Sequence, residues 1–125
     1  MDFKLTEEQK ALKKEYNDFF EQEMKNAPPG FGTRGEDERE DDHKFTRYMV
    51  KKVAEKGWNI MAWPKEYGGR DAPIIEQMLF AEAQGYHRAP GVEGFGVRMF
   101  GPTLILYASE EQKKRLNGAG HGFYQ

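Results

Sequence analysis

The sequence predicts an all-α protein, an antiparallel bundle of about four longer helices followed by a short C-terminal helix. Three observations lead there. Apolar residues recur at helical spacing, and no stretch alternates over the length of a strand. Two capping boxes, Thr6 with Gln9 and Ser109 with Gln112, mark helix starts toward either end of the chain. Glycine and proline gather between the periodic stretches, where connections belong.

The first helix follows Thr6 in TEEQKALKKEYNDFFEQEMK. Leu5, Leu12, Tyr16 and Phe19 fall on one stripe with Phe20 beside it, and Asn26, Pro28 and Pro29 end the element. The segment PPGFGTRGEDEREDDHK is then rich in Gly, Pro and acid with a single aromatic, which predicts a mobile loop of mutually repelling carboxylates. Phe45, Met49 and Val53 carry a second helix that Gly57 closes in a left-handed cap. The connector WPKEYGGRDAP follows, with more turn chemistry than a plain helix–helix link needs. Pro73 suits a first helical turn, and the third helix has two apolar stripes, Ile74–Met78–Ala81 and Ile75–Leu79–Tyr86, as expected of a helix buried between neighbours. The stretch VRMFGPTLILYA is apolar nearly all round, with a kink expected at Gly101-Pro102. Ser109 caps the final short helix. Beyond it NGAGHGFYQ is glycine-rich and aperiodic, so residues 1–116 read as one helical domain and 117–125 as a tail.

Composition bounds the function. The chain of 125 residues has 38% hydrophobic and 32% charged residues, enough for one modest core. Net charge is −2, so there is no basic field to hold nucleic acid. Cysteine is absent, which removes disulfides and thiolate metal sites and makes a cytoplasmic setting the expectation. MDFKLTEEQK is charged where a secretory leader would be apolar, and no apolar run nears the roughly 18 residues of a membrane span.

Several motif-like patterns have plainer explanations. Gly30, Gly32 and Gly35 match G-x-G-x-x-G, but a dinucleotide fingerprint follows a strand and opens a helix. Here the glycines follow a helix and two prolines and lead into Glu36, Asp37 and Glu38, which would repel a pyrophosphate. The glycines of GVEGFGVRMFG suit close packing where a loop enters a helix. The acidic run Glu36 to Asp42 lacks the alternation and internal glycine of a hard-cation loop. His43, His87 and His121 stand far apart, without the spacing of metal ligands. Glu82 and Arg98 are expected to pair with each other or with another domain. No catalytic residue and no metal site is read from these residues.

Taken in order, DFKLTEEQKALKKEYNDFF, KKVAEKGWNIMAWPKEYGG, PIIEQMLFAEA and GPTLILYASEEQKKRL resemble the N-terminal helical domain of flavin-dependent acyl-CoA dehydrogenases. GWNIMAWPKEYGG followed by two apolar helices and SEEQKKR is the most specific part, and the likeness covers roughly Met1 to Leu116. In that family a middle β domain and a C-terminal helical bundle follow, FAD lies between those two and a neighbouring subunit, and a carboxylate base serves the α,β-dehydrogenation of an acyl-CoA thioester. The resemblance implies that this domain supplies part of the acyl pocket wall from its fourth helix, which by position points to Phe100, Gly101 and Leu104. Pattern alone equally allows these three to be ordinary core. The β domain, the bundle, the base and nearly all flavin contacts have no counterpart in these residues, so the chain is expected to be inactive alone. The tail Asn117-Gly118-Ala119-Gly120 departs from the family pattern, which suggests a truncated or frame-shifted product, or else an independent short protein. Uncovered apolar helices then predict a loosely packed, self-associating bundle, or a non-catalytic module that docks on a flavoprotein subunit or other partner.

Overall fold

The computed structural model describes residues 4–33, 35, 37 and 39–115. Leu116, the tail 117–125 with His121, and Glu36 and Glu38 of the acidic run lie outside the described residues. The described residues are helical, with no strand among them. They form two compact units, one drawn from Met1–Thr46 and Ala72–Pro90, the other from Arg47–Asp71 and Gly91–Gln125.

In the first unit, α1 (Glu7–Met24) starts at the expected capping box. Thr6 Oγ1 accepts from Gln9 N–H at 3.2 Å, and Gln9 Oε1 accepts from Thr6 N–H at 2.9 Å, satisfying two amides that a helix start would leave open. Its buried residues are Tyr16 and Phe20. The core face therefore follows the Tyr16–Phe20 spacing of four, and Phe19 is only half-buried. The reason lies on α3 (Ile74–Tyr86), which packs on α1. The Phe80 ring stands edge-on to Tyr16 at 5.4 Å and tilted to Phe20 at 5.5 Å, so the aromatic partner selects which phenylalanine turns inward.

The α3 helix buries Leu79, Phe80 and Ala83. Its expected stripe Ile74–Met78–Ala81 is exposed, with Ile74 at 69% and Met78 at 59%, since the face that packs on α1 is the one carrying Leu79, Phe80 and Ala83. Tyr86, assigned to the second stripe, is also exposed. Glu82 pairs with Lys13 of α1 at 3.9 Å, across an exposed surface where such a pair contributes little. His87, at the end of α3, lies 3.1 Å from Asn17 Oδ1 through Nε2 and stacks on Phe20, a structural placement.

The helix α2 (Glu40–Glu55) begins inside the stretch that the sequence assigns to a loop. Glu40, Asp41 and Asp42 occupy its first turn, where unsatisfied amides and the helix dipole favour carboxylates. Asp42 is buried, and its Oδ2 accepts from Arg39 N–H at 3.0 Å. Three acids of the run, Glu40, Asp41 and Asp42, are thus placed at a helix start. Phe31, the lone aromatic before them, is held edge-on to Phe45 at 5.0 Å.

In the second unit, Gly57 ends α2 with φ 72° and its N–H on Ala54 O at 2.9 Å, the expected left-handed cap. Two short 3-10 turns follow, Trp58–Ile60 ahead of the connector and Lys65–Tyr67 within it. Gly68 adopts φ 92°, and a Cβ on Gly69 would lie 2.0 Å from Trp63 O. Asp71 N–H donates to that same Trp63 carbonyl at 3.0 Å, so the double glycine folds the connector back onto Trp63. A π-helical stretch, Phe95–Phe100, then runs into α4 (Gly101–Tyr107). Ser109 and Gln112 form the second capping box at 2.9 and 3.3 Å, ahead of helical residues 110–115.

Replacing adjacent phenylalanines tests which one is core. Phe20→Ala should lower unfolding free energy by about 3–5 kcal/mol in urea titrations, and Phe19→Ala by less than about 1.5 kcal/mol. Equal losses would contradict the aromatic selection of Phe20.

Candidate functional site

The segment GVEGFGVRMFGPT builds a concave feature of the second unit. Glu93 starts it: its carboxylate accepts from Phe95 N–H at 2.9 Å and Gly96 N–H at 2.5 Å. Gly101 N–H then reaches back to Gly96 O, one residue further than an α-helix allows, which defines the π-turn. Thr103 Oγ1 donates to Met99 O at 2.7 Å. The widened turn places Phe95, Gly96, Met99, Phe100 and Thr103, with Glu93, around an open groove of about 600 Å³. Its apolar side chains face outward, Phe95 at 77%, Met99 at 60% and Phe100 at 50% exposure. That volume lies in the range of small-ligand sites, but an enclosed site would bury most of these side chains.

Trp63 lies behind it. Its Nε1–H donates to Val97 O at 3.1 Å, and Val97 is buried. A Cβ on Gly101 would come within 2.2 Å of Trp63 Cζ2, so only glycine lets the indole lie against the helix backbone. The expected kink at Gly101-Pro102 thus takes the form of a π-turn braced by an indole. Gly91 enters the segment at φ 147°, where a Cβ would meet Val53 Cγ2 at 2.7 Å, so close packing holds at Gly91 and Gly101 but not at Gly94, where a Cβ would meet nothing within 4 Å.

Of the three residues expected on a pocket wall, Phe100 lines the groove. Gly101 is buried under Trp63, and Leu104 is half-buried and outside the groove lining. Sequence reasoning missed Phe95 and Met99. Their spacing of four, with Phe100 adjacent, was the available signal.

The groove lining is predominantly apolar. Its one carboxylate, Glu93, is engaged by backbone amides. Among the described residues no group of three His, Cys, Asp or Glu could hold a metal. The groove lining does not suit the pyrophosphate of FAD: it has no basic side chain, and the Phe95 and Gly96 amides are taken by the Glu93 carboxylate. The Gly30–Gly32–Gly35 spacing sits instead in the turn region between α1 and α2. Among the described residues, no helix is long and apolar enough to cross a membrane.

Comparison with known proteins agrees with this architecture. The chain is 30% identical over 115 residues, 91% of its length, to an acryloyl-CoA reductase (NADH) of Anaerotignum propionicum, covering 27% of that protein. Its fold matches a chain of the ChsE4–ChsE5 complex from Mycobacterium tuberculosis with TM-score 0.71 and 25% identity, covering 91% of this chain and 28% of that one. A chain of the Tcur3481–Tcur3483 steroid ACAD matches with TM-score 0.67 and 25% identity, over 95% of this chain and 30% of that one. The chain thus spans less than a third of the length of these relatives. The family profile described as "Acyl-CoA dehydrogenase, N-terminal domain" matches residues 6–118, and the chain belongs to the acyl-CoA dehydrogenase family through that domain.

Proposed function

We propose that residues 1–116 act as the N-terminal helical domain of an FAD-dependent acyl-CoA dehydrogenase, with 117–125 as an appended tail. In this reading the domain supplies one wall of the acyl pocket. Phe100 contributes directly, together with Phe95 and Met99. Gly101 contributes by admitting Trp63 behind the wall, and Leu104 by continuing the same helix. The observation that carries the reading is the open groove, whose three large apolar side chains are half or more exposed.

Leaving a few hundred Å² of apolar surface in water forfeits several kcal/mol at about 25 cal/mol per Å². That is comparable to the net stability of a small domain, so the face calls for a cover. In the proposed enzyme the cover is the acyl chain of the thioester and the parts that hold FAD and the catalytic carboxylate, which lie outside these 125 residues. The cofactor supplies hydride acceptance when bound; this chain's residues orient the acyl group and exclude water. On this reading the 125 residues do not dehydrogenate a thioester alone, and the enzyme works in the cytoplasm.

A second reading has its own support. Both solved neighbours are assemblies of two named components, ChsE4–ChsE5 and Tcur3481–Tcur3483. The chain could then serve as a non-catalytic helical module that docks on a homologous flavoprotein subunit, with the same apolar face as the contact.

Groove variants in the assembled flavoprotein separate the two. If the groove is an acyl wall, Met99→Ala and Phe100→Ala raise KM for the preferred acyl-CoA about tenfold while flavin content is unchanged. A KM that stays fixed while the subunits fall apart supports the docking module instead. For the chain alone, sedimentation velocity should show a mass that rises with concentration. A monomer at all concentrations that melts cooperatively at high temperature would contradict the uncovered-face account.

A further inference from the structure

The π-turn contains a hydrogen-bonding problem created by one residue and resolved by another far away. In an α-helix Val97 O would accept from Gly101 N–H, but that amide is committed to Gly96 O. In a continued π-helix Val97 O would accept from residue 102, which is a proline and has no N–H. Val97 is 3% exposed, so water does not readily substitute. The donor that does reach it is Trp63 Nε1–H at 3.1 Å, from 34 positions earlier in the chain. Glycine at 101 makes this approach possible, since a Cβ there would collide with the indole.

We propose that Trp63 is a positioning residue for the groove: its indole N–H holds the π-turn that Pro102 imposes, and so fixes where Phe95 stands relative to Met99, Phe100 and Thr103. The inserted residue of a π-turn shifts the helix face by one residue, about 100° of rotation. If the turn relaxed to α, Phe95 would leave the face shared by Phe100 and Thr103, and the groove would lose its shape. Trp63 is not among the residues lining the groove, yet it sets the groove's register. The importance of this for acyl recognition rests on the pocket-wall reading above; the turn lock itself does not.

A double-mutant cycle on the full 125-residue chain tests the lock. Trp63→Phe keeps an aromatic ring and removes the donor, and should lower the folding equilibrium constant about tenfold, the cost of a stranded buried acceptor. Pro102→Ala restores an amide at 102 and lets the turn return to α register, with Gly101 N–H back on Val97 O. In that background Trp63→Phe should cost about twofold or less, and the Met99 methyl resonance should move with Pro102→Ala. An equal penalty in both backgrounds would show that Trp63 only packs, and would overturn the proposal. Should Trp63→Phe fail to fold, hydrogen exchange of the wild-type Trp63 indole decides. Protection of about tenfold or more over a free indole supports the lock, and exchange at the free rate overturns it. Neither readout depends on acyl-CoA, so failure of the lock and failure of the pocket-wall reading are separable.

Discussion

The second unit turns on one carbonyl, that of Val97, which accepts from the Trp63 indole N–H at 3.1 Å while Gly101 N–H bonds Gly96 O. The connector WPKEYGG becomes intelligible from that constraint. Its tryptophan must be delivered at a fixed angle to bond Val97 O, and a flexible link could not do so. Gly68 turns the chain back in a left-handed conformation, Gly69 passes so close to the Trp63 carbonyl that no Cβ would fit, and Asp71 N–H bonds that carbonyl. The backbone on either side of Trp63 is thereby tied down, and the ring is carried against Gly101. Sequence, turn geometry and groove shape form a single chain of causes.

The first unit is organised differently, by aromatic packing. Tyr16, Phe20 and Phe80 meet edge-on or tilted at 5.4 to 5.5 Å. With Tyr16 and Phe20 fully buried, each contributes about 2–3 kcal/mol by removal from water. The contrast with the outward face of α3 is physical. Ile74 and Met78 are as apolar as the core residues but stand mostly exposed among the described residues. The same holds for Phe95, Met99, Leu106 and Tyr107 in the segment from Phe95 to Tyr107. A sequence under pressure only to be soluble and folded would not keep such faces apolar.

Features set by local bonding were legible in the sequence. The capping boxes at Thr6 and Ser109 and the left-handed stop at Gly57 each involve residues a few positions apart, so their chemistry can be read without the fold. Legibility failed where a distant partner decides. Phe80 chooses Phe20 over Phe19. The amides at the start of α2 turn an acidic run that reads as loop into a first helical turn. Two apolar stripes on α3 are visible in the sequence, but which of them the chain itself covers is not. At the groove, Phe100 was reached through family resemblance. Phe95 and Met99 share a face by their spacing of four and were readable as a pair; what the sequence hid is that the π-turn adds Phe100, five positions from Phe95, to that groove.

The central claim is that these helices form one side of a thioester site whose flavin-holding side lies outside the 125 residues. The most direct test is an absorbance titration of the purified 125-residue chain with FAD, followed by an acyl-CoA and an artificial electron acceptor. The account predicts no flavin retained after gel filtration and no thioester-dependent reduction of the acceptor. Stoichiometric FAD with turnover by the chain alone would contradict it.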